Sequence, residues 1–79
     1  MTPKEMHFDI KRRAAYMLNT GWTVDINNSH PYVQVEGPNG EDHWFQGDEA
    51  AELLREAYKA AELFDCKAYE CVLWYTQSW

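Results

Sequence analysis

A chain of 79 residues supplies apolar surface for one core, because a domain this short buries only about 60% of the surface its unfolded form exposes; a second core and a large cofactor cleft are excluded. Hydrophobic residues at 46% and charged residues at 25% are the proportions of a folded globular protein rather than a disordered one. Thirteen acids against seven Lys and Arg leave a net charge of -6, a sign opposed to direct nucleic-acid binding, whose affinity rests on neutralising phosphates.

The first element is announced by its cap. Thr2-Pro3-Lys4-Glu5 sets a capping hydroxyl, a proline at the first helical position and a glutamate three residues after the cap. The pattern predicts a helix from Pro3 to Asn19, with Met6, Ile10, Ala14 and Met17 on one face and Gly21 as the left-handed stop. Phe8, Lys11, Arg12 and Ala15 point away from that face. Residues 22–27 then alternate, Trp22, Val24 and Ile26 falling on one side of a half-buried strand. A loop through Asn27-Asn28-Ser29-His30-Pro31 leads to a second strand at 32–36. Gly37-Pro38-Asn39-Gly40 is a tight turn, since Pro presets the first turn residue and Asn-Gly tolerates positive φ. A third strand runs from Asp42 to Gln46.

Gly47-Asp48 opens a second helix, with Asp48 as its expected cap and Glu49 favoured beside the positive end of the helix dipole. Ala50, Leu54, Ala57, Ala61 and Phe64 form its buried face, with Leu53 on the flank. Residues 69–76 are rich in β-formers and apolar on both alternating faces: Tyr69, Cys71, Leu73 and Tyr75 on one, Val72 and Trp74 on the other. They read as an inner strand. The expected fold is therefore a single small α+β domain over residues 1–79, in α-β-β-β-α-β order, with an antiparallel sheet packed by two helices.

No apolar run approaches the roughly 20 residues of a membrane span, and the first residues lack the apolar core of a secretory signal, so a cytoplasmic location is expected. Cys66 and Cys71 read as thiols: an extended segment between them spans about 16 Å, against about 5.5 Å between bridged Cα atoms. Together with His7, His30 and His43 they do not form the closely spaced pairs of a structural zinc site, so neither a metal nor another cofactor is expected. No phosphate-binding glycine loop is present. In Asp42-His43-Trp44 the middle residue points to the opposite sheet face from its neighbours, which breaks up a tempting catalytic group. No catalytic residue is assigned, and the expectation is a protein that is not an enzyme.

Double-stranded RNA-binding domains share the order of a helix, three strands and a helix, and grip phosphates with lysines at the start of the second helix. Here that position reads Gly47-Asp48-Glu49-Ala50-Ala51-Glu52. The order is shared and the chemistry is inverted. Residues 1–20 carry a balance of +2 and residues 21–79 one of -8, so the negative charge belongs to the strands and the second helix. Glu49, Glu52 and Glu56 cluster on the outer side of that helix, successive members about 5–6 Å apart, and Asp48, Glu41 and Asp42 extend the stripe. That spacing is comparable to the phosphates of a DNA strand, so the stripe suits a basic groove on a partner protein. Ordinary helix chemistry accounts for part of it: Asp48 and Glu49 suit any helix start, and Glu52 with Arg55 and Glu56 with Lys59 can pair on a solvated face. Glu52 and Glu56, four apart, nevertheless repel. Trp44, Trp74 and the terminal Trp79 are candidates for an apolar sheet face, covered by the first helix or left open as a docking patch.

The whole-chain pattern resembles the small, acidic, phage-encoded inhibitors typified by anti-CRISPR proteins. What carries the likeness is the single-domain size, the hairpin Tyr32-Val33-Gln34-Val35-Glu36-Gly37-Pro38-Asn39-Gly40, the acidic helix opening, the segment Glu70-Cys71-Val72-Leu73-Trp74-Tyr75 and the lack of a catalytic signature. These inhibitors share no common sequence, so no residue role is transferred. The resemblance implies binding to the positively charged DNA-binding surface of a CRISPR effector, a Cascade complex or a single-chain nuclease, inside an infected bacterial cell. The partner-binding residues expected are Glu41, Asp42, Asp48, Glu49, Glu52, Glu56, Trp44 and Trp74, with neither nucleic acid nor membrane contacted directly. Lys11, Arg12 and Arg13 depart from a uniformly acidic mimic. Two other readings stand beside it: a homodimer built on the Trp-rich face, and a regulatory module for an unrelated protein.

Overall fold

The computed structural model describes residues 2–76. Helix α1 spans Pro3–Asn19, strands β1, β2 and β3 span Thr23–Asn27, Tyr32–Glu36 and Asp42–Gln46, and helices α2 and α3 span Gly47–Phe64 and Ala68–Thr76. The chain is a small α+β domain with a three-stranded antiparallel sheet in the order β1-β2-β3.

Local chemistry sets most of these boundaries. The Thr2 hydroxyl accepts from the Glu5 amide at 3.2 Å and starts α1, and Gly21, at φ 101°, ends its run. The Asn27 side chain accepts from the Ser29 and His30 amides at 3.0 and 3.2 Å, which shapes the β1–β2 loop as an Asx turn. In the β2–β3 turn the Gly37 amide donates to the Glu41 carbonyl at 2.8 Å. No loop separates β3 from α2: Gly47, at φ 62°, turns the chain, and its amide donates to the Pro31 carbonyl at 3.2 Å. The expected cap on Asp48 is not made. Gln46 occupies the cap position without a side-chain bond, and Asp48 and Glu49 lie in the first turn, where the helix dipole favours them.

The expected fourth strand at residues 69–76 is instead helix α3, so the order is α-β-β-β-α-α and the sheet is packed by three helices rather than two. A short run that is apolar on both sides fits a helix buried all round as well as it fits an inner strand, and periodicity alone does not separate them. Capping decides. The Glu70 carboxylate accepts from the Lys67 amide at 2.8 Å, the return half of a capping box, and the Cys71 amide closes the first helical bond onto the Lys67 carbonyl at 3.1 Å. Glu70, Cys71, Val72, Leu73 and Thr76 are all buried, because α3 packs against α1, α2 and β1 together.

The core joins Ile10, Ala14 and Met17 of α1, Val33 and Val35 of β2, Ala50, Leu54, Ala57 and Ala60 of α2, and Cys71, Val72 and Leu73 of α3. Val24, Ile26, His43 and Phe45 complete the inner face of the sheet, and Trp22 packs against the core beside them. Among the described residues nothing covers the outer face: Thr23, Asp25, Asn27, Glu36, Asp42, Trp44 and Gln46 are exposed. The first helix does not cover it, and Val72 and Trp74 do not belong to it. Trp79 lies outside the described residues.

Truncation separates these environments. Leu73→Ala, at a fully buried position, is expected to cost about 3 kcal/mol in urea unfolding, whereas Trp44→Ala on the open face stays within about 0.5 kcal/mol of the parent.

Candidate functional site

The direct passage from β3 into α2 sets an aromatic residue and a row of carboxylates side by side. Trp44 points to the open sheet face and Phe45 to the inner one, and the helix that follows presents Asp48, Glu49, Glu52 and Glu56 to solvent. Phe45, Leu53 and Tyr75 floor a groove of about 450 Å³ whose rim is Glu49, Glu52 and Glu56. An adjoining recess of about 400 Å³ shares Phe45 and Glu49 with it and adds Trp44, Gln46 and Asp48. Five of the eight expected site residues thus surround two recesses that share a wall. Burial, together with the nearby Glu56 carboxylate, raises the Tyr75 hydroxyl above its ordinary pKa.

The other three sit elsewhere. Asp42 is on the open face and accepts from the Gln34 side-chain amide at 3.0 Å. Glu41 braces the turn before β3: its carboxylate accepts from the Asn39 amide at 2.7 Å and folds against Gly37, where a Cβ would lie 2.6 Å from it. Trp74 is half-buried, and its indole N–H donates to Asp9 at 2.7 Å, joining α3 to α1. It is part of the scaffold rather than an exposed anchor.

Trp44, by contrast, is 53% exposed, with Tyr32 at 6.5 Å between ring centroids. The Tyr32 hydroxyl donates to Gln34 at 2.6 Å. Sequence reasoning missed two acids on this face, Asp25 and Glu36. Strand alternation already placed Asp25 opposite Val24 and Ile26, but only the register sets Asp25 beside Gln34 and Glu36 beside Asp42. Like charges directly across a strand pair are destabilising, so the Glu36–Asp42 pair works against the fold. On α2, Arg55 meets Glu52 at 3.6 Å with both side chains about two-thirds exposed, a geometry that contributes little.

The basic residues of α1 serve the scaffold on their inner side. The Lys11 ammonium lies 3.1 Å from the buried Glu70 carboxylate, and this bond raises its pKa. Asp9 accepts from Trp74 and from Arg12 at 2.8 Å and lies 3.6 Å from Arg13. His7 and Cys66 meet at 3.7 Å, but His7 Nδ1 is 2.7 Å from the Phe64 carbonyl, so this nitrogen carries the proton and closes the end of α2 instead of activating the thiol. Cys66 and Cys71 are both thiols. Among the described residues no three His, Cys, Asp or Glu side chains converge as metal ligands, and no helix is long and apolar enough to cross a membrane.

Comparison with family models, with curated proteins and with solved structures finds no match for this chain.

Two titrations follow from these contacts. The Trp74 bond, opposed by desolvation and aided by Arg12 and Arg13, holds the Asp9 carboxyl below its ordinary value of 3.8. A carboxylate that binds its proton less tightly when folded stabilises the fold above about pH 4, and loses that contribution as pH falls through the lowered value. Thermal melts below about pH 4 should therefore decline less steeply for Asp9→Asn than for the parent. Burial pushes the Cys71 thiol up to about 11, so it should resist a thiol-reactive disulfide reagent near pH 8 until the protein unfolds, while half-buried Cys66 reacts first.

Proposed function

We infer that the protein is a non-enzymatic inhibitor that docks on a basic, nucleic-acid-binding surface of another protein, with a CRISPR effector as the partner. The observation that carries this reading is the groove between β3, α2 and α3, where Glu49, Glu52 and Glu56 rim an apolar floor of Phe45, Leu53 and Tyr75. Such a site suits Arg and Lys side chains, whose aliphatic stems lie on apolar surface while their heads meet carboxylates. Asp48 and the exposed Trp44 continue the surface, and Asp25, Glu36 and Asp42 carry negative charge across the open sheet. Steering between opposed potentials speeds encounter, and an exposed indole provides a contact of the type that dominates interface energetics.

Self-association through the open face is a second reading, favoured by the exposure of Trp44. A two-fold interface there would set one acid-bearing face, with Asp25, Glu36 and Asp42, against the same face of its copy, which works against it. Sedimentation at rising concentration separates the two.

The test uses guide-loaded Cascade and a guide-loaded single-chain CRISPR nuclease, each with labelled duplex target. The protein should displace DNA from at least one of them, and Glu52→Lys combined with Glu56→Lys should weaken that inhibition about tenfold or more without loss of fold. Added salt should weaken it as well. DNA binding undisturbed in both effectors overturns the choice of partner, and inhibition indifferent to charge reversal and to salt overturns the electrostatic mechanism.

A further inference from the structure

Strand β3 is an edge. The sheet runs in the order β1-β2-β3, so β3 pairs with β2 on one side and, among the described residues, no strand pairs with the other. The register says which backbone groups lie there. In an antiparallel pair, residues whose N–H and C=O groups turn to the neighbour alternate with residues whose groups turn away. The Gly37 amide donates to the Glu41 carbonyl at 2.8 Å and the Gly47 amide to the Pro31 carbonyl at 3.2 Å, so His43 and Phe45 direct their backbone groups to β2. Asp42, Trp44 and Gln46 therefore turn their N–H groups to the free edge, Asp42 and Trp44 their carbonyls as well, and all three residues are exposed.

Edges of this kind are ordinarily blunted by proline, lysine or a bulge, because they template the addition of another strand. The run Asp42-His43-Trp44-Phe45-Gln46 holds neither proline nor lysine and pairs with β2 residue for residue. Its surroundings suit one kind of addition. An incoming strand sets its side chains alternately on the two sheet faces, and residues directly across from Asp42 and Trp44 share the outer face with them. There a cationic side chain can lie over the Trp44 indole, 53% exposed, and meet the Asp42 carboxylate. The recess of about 400 Å³ along the same strand carries Asp48 and Glu49 beside Trp44 and Gln46. The edge is thus flanked by carboxylates. A second copy of β3 would bring the same acids with it, whereas a basic segment brings the complement.

We propose that β3 is extended by a strand of the partner protein: a basic, extended segment pairs with the free N–H and C=O groups of Asp42 and Trp44 and sets alternate arginine or lysine side chains on the Trp44 face. This mode of docking rests on the inhibitor reading above and adds the conformation of the segment that is bound. Main-chain bonds along the edge supply affinity, and the alternate side chains supply the choice of sequence.

Titration of the ¹⁵N-labelled full chain tests it, with a capped peptide of alternating arginine and valine as the probe. Two further peptides of the same charge carry backbone N-methyl groups, one on every arginine and the other on every valine. A strand turns alternate N–H groups to opposite edges, so only one of these two loses the bonds to β3. The parent and valine-methylated peptides should bind saturably and slow hydrogen exchange at the Trp44 backbone amide about tenfold or more, and the arginine-methylated one should bind about tenfold more weakly. Equal affinity for all three, loss confined to the valine-methylated peptide, absence of saturable binding, or binding that leaves the Trp44 amide unprotected overturns the proposal. So does protection of that amide that grows with protein concentration in the absence of peptide, which gives the edge to a second copy. Displacement of DNA from the effectors decides the inhibitor reading independently, since it counts inhibition by any mode of docking.

Discussion

A single helix, packed against two helices and a strand, governs this architecture. Residues of α3 touch α1, α2 and β1 at once, and five of its nine residues are buried. Two polar links let it exist there. Glu70 enters the interior only because Lys11 and the Lys67 amide satisfy its oxygens, and the Trp74 indole N–H is satisfied by Asp9. Burying a carboxylate without such partners costs several kcal/mol. The two polar contacts between α1 and α3, the Lys11–Glu70 ion pair and the Trp74–Asp9 hydrogen bond, are therefore what permits a three-helix layer on one side of a three-stranded sheet.

With all three helices gathered on one side, the other sheet face is left to solvent, and its chemistry follows from the period of two along the strands. The inward residues are Val24, Ile26, Val33, Val35 and Phe45, with His43 among them; the outward ones include Asp25, Glu36, Asp42 and Trp44. The same passage from β3 to α2 then supplies the groove, because Phe45 and Leu53 are each half-buried at the margin of the core and the helix carries its carboxylates beside them. A surface with opposed carboxylates across a strand pair and repelling ones along a helix is suboptimal for folding. That is the pattern expected where binding sets the residue choice.

The charge is divided spatially as well as along the chain. Acids occupy the open sheet and the outer side of α2, and the arginines of α1 line a recess on the far side of the strands. Net charge alone conceals this division.

Much of the fold was legible from residue pattern. The cap at Thr2, the stop at Gly21, the Gly37–Gly40 turn and the alternation around Val24 and Val33 each act within a few residues of chain, and local chemistry sufficed to place α1, the three strands and α2. So did the outer face of α2, since helical period fixes Glu49, Glu52 and Glu56 to one side. Three things depended on tertiary contacts. Residues 69–76 became a helix because Glu70 accepts from the Lys67 amide and the segment packs against α1, α2 and β1, which a run apolar on both alternating faces cannot announce. Trp74 became scaffold because Asp9, 65 residues away, accepts a hydrogen bond from its indole N–H. The groove joins Tyr75 of α3 to the β3–α2 passage, and the arginine recess joins α1 to Trp22, His43 and Thr76; only closing the core brings such groups together.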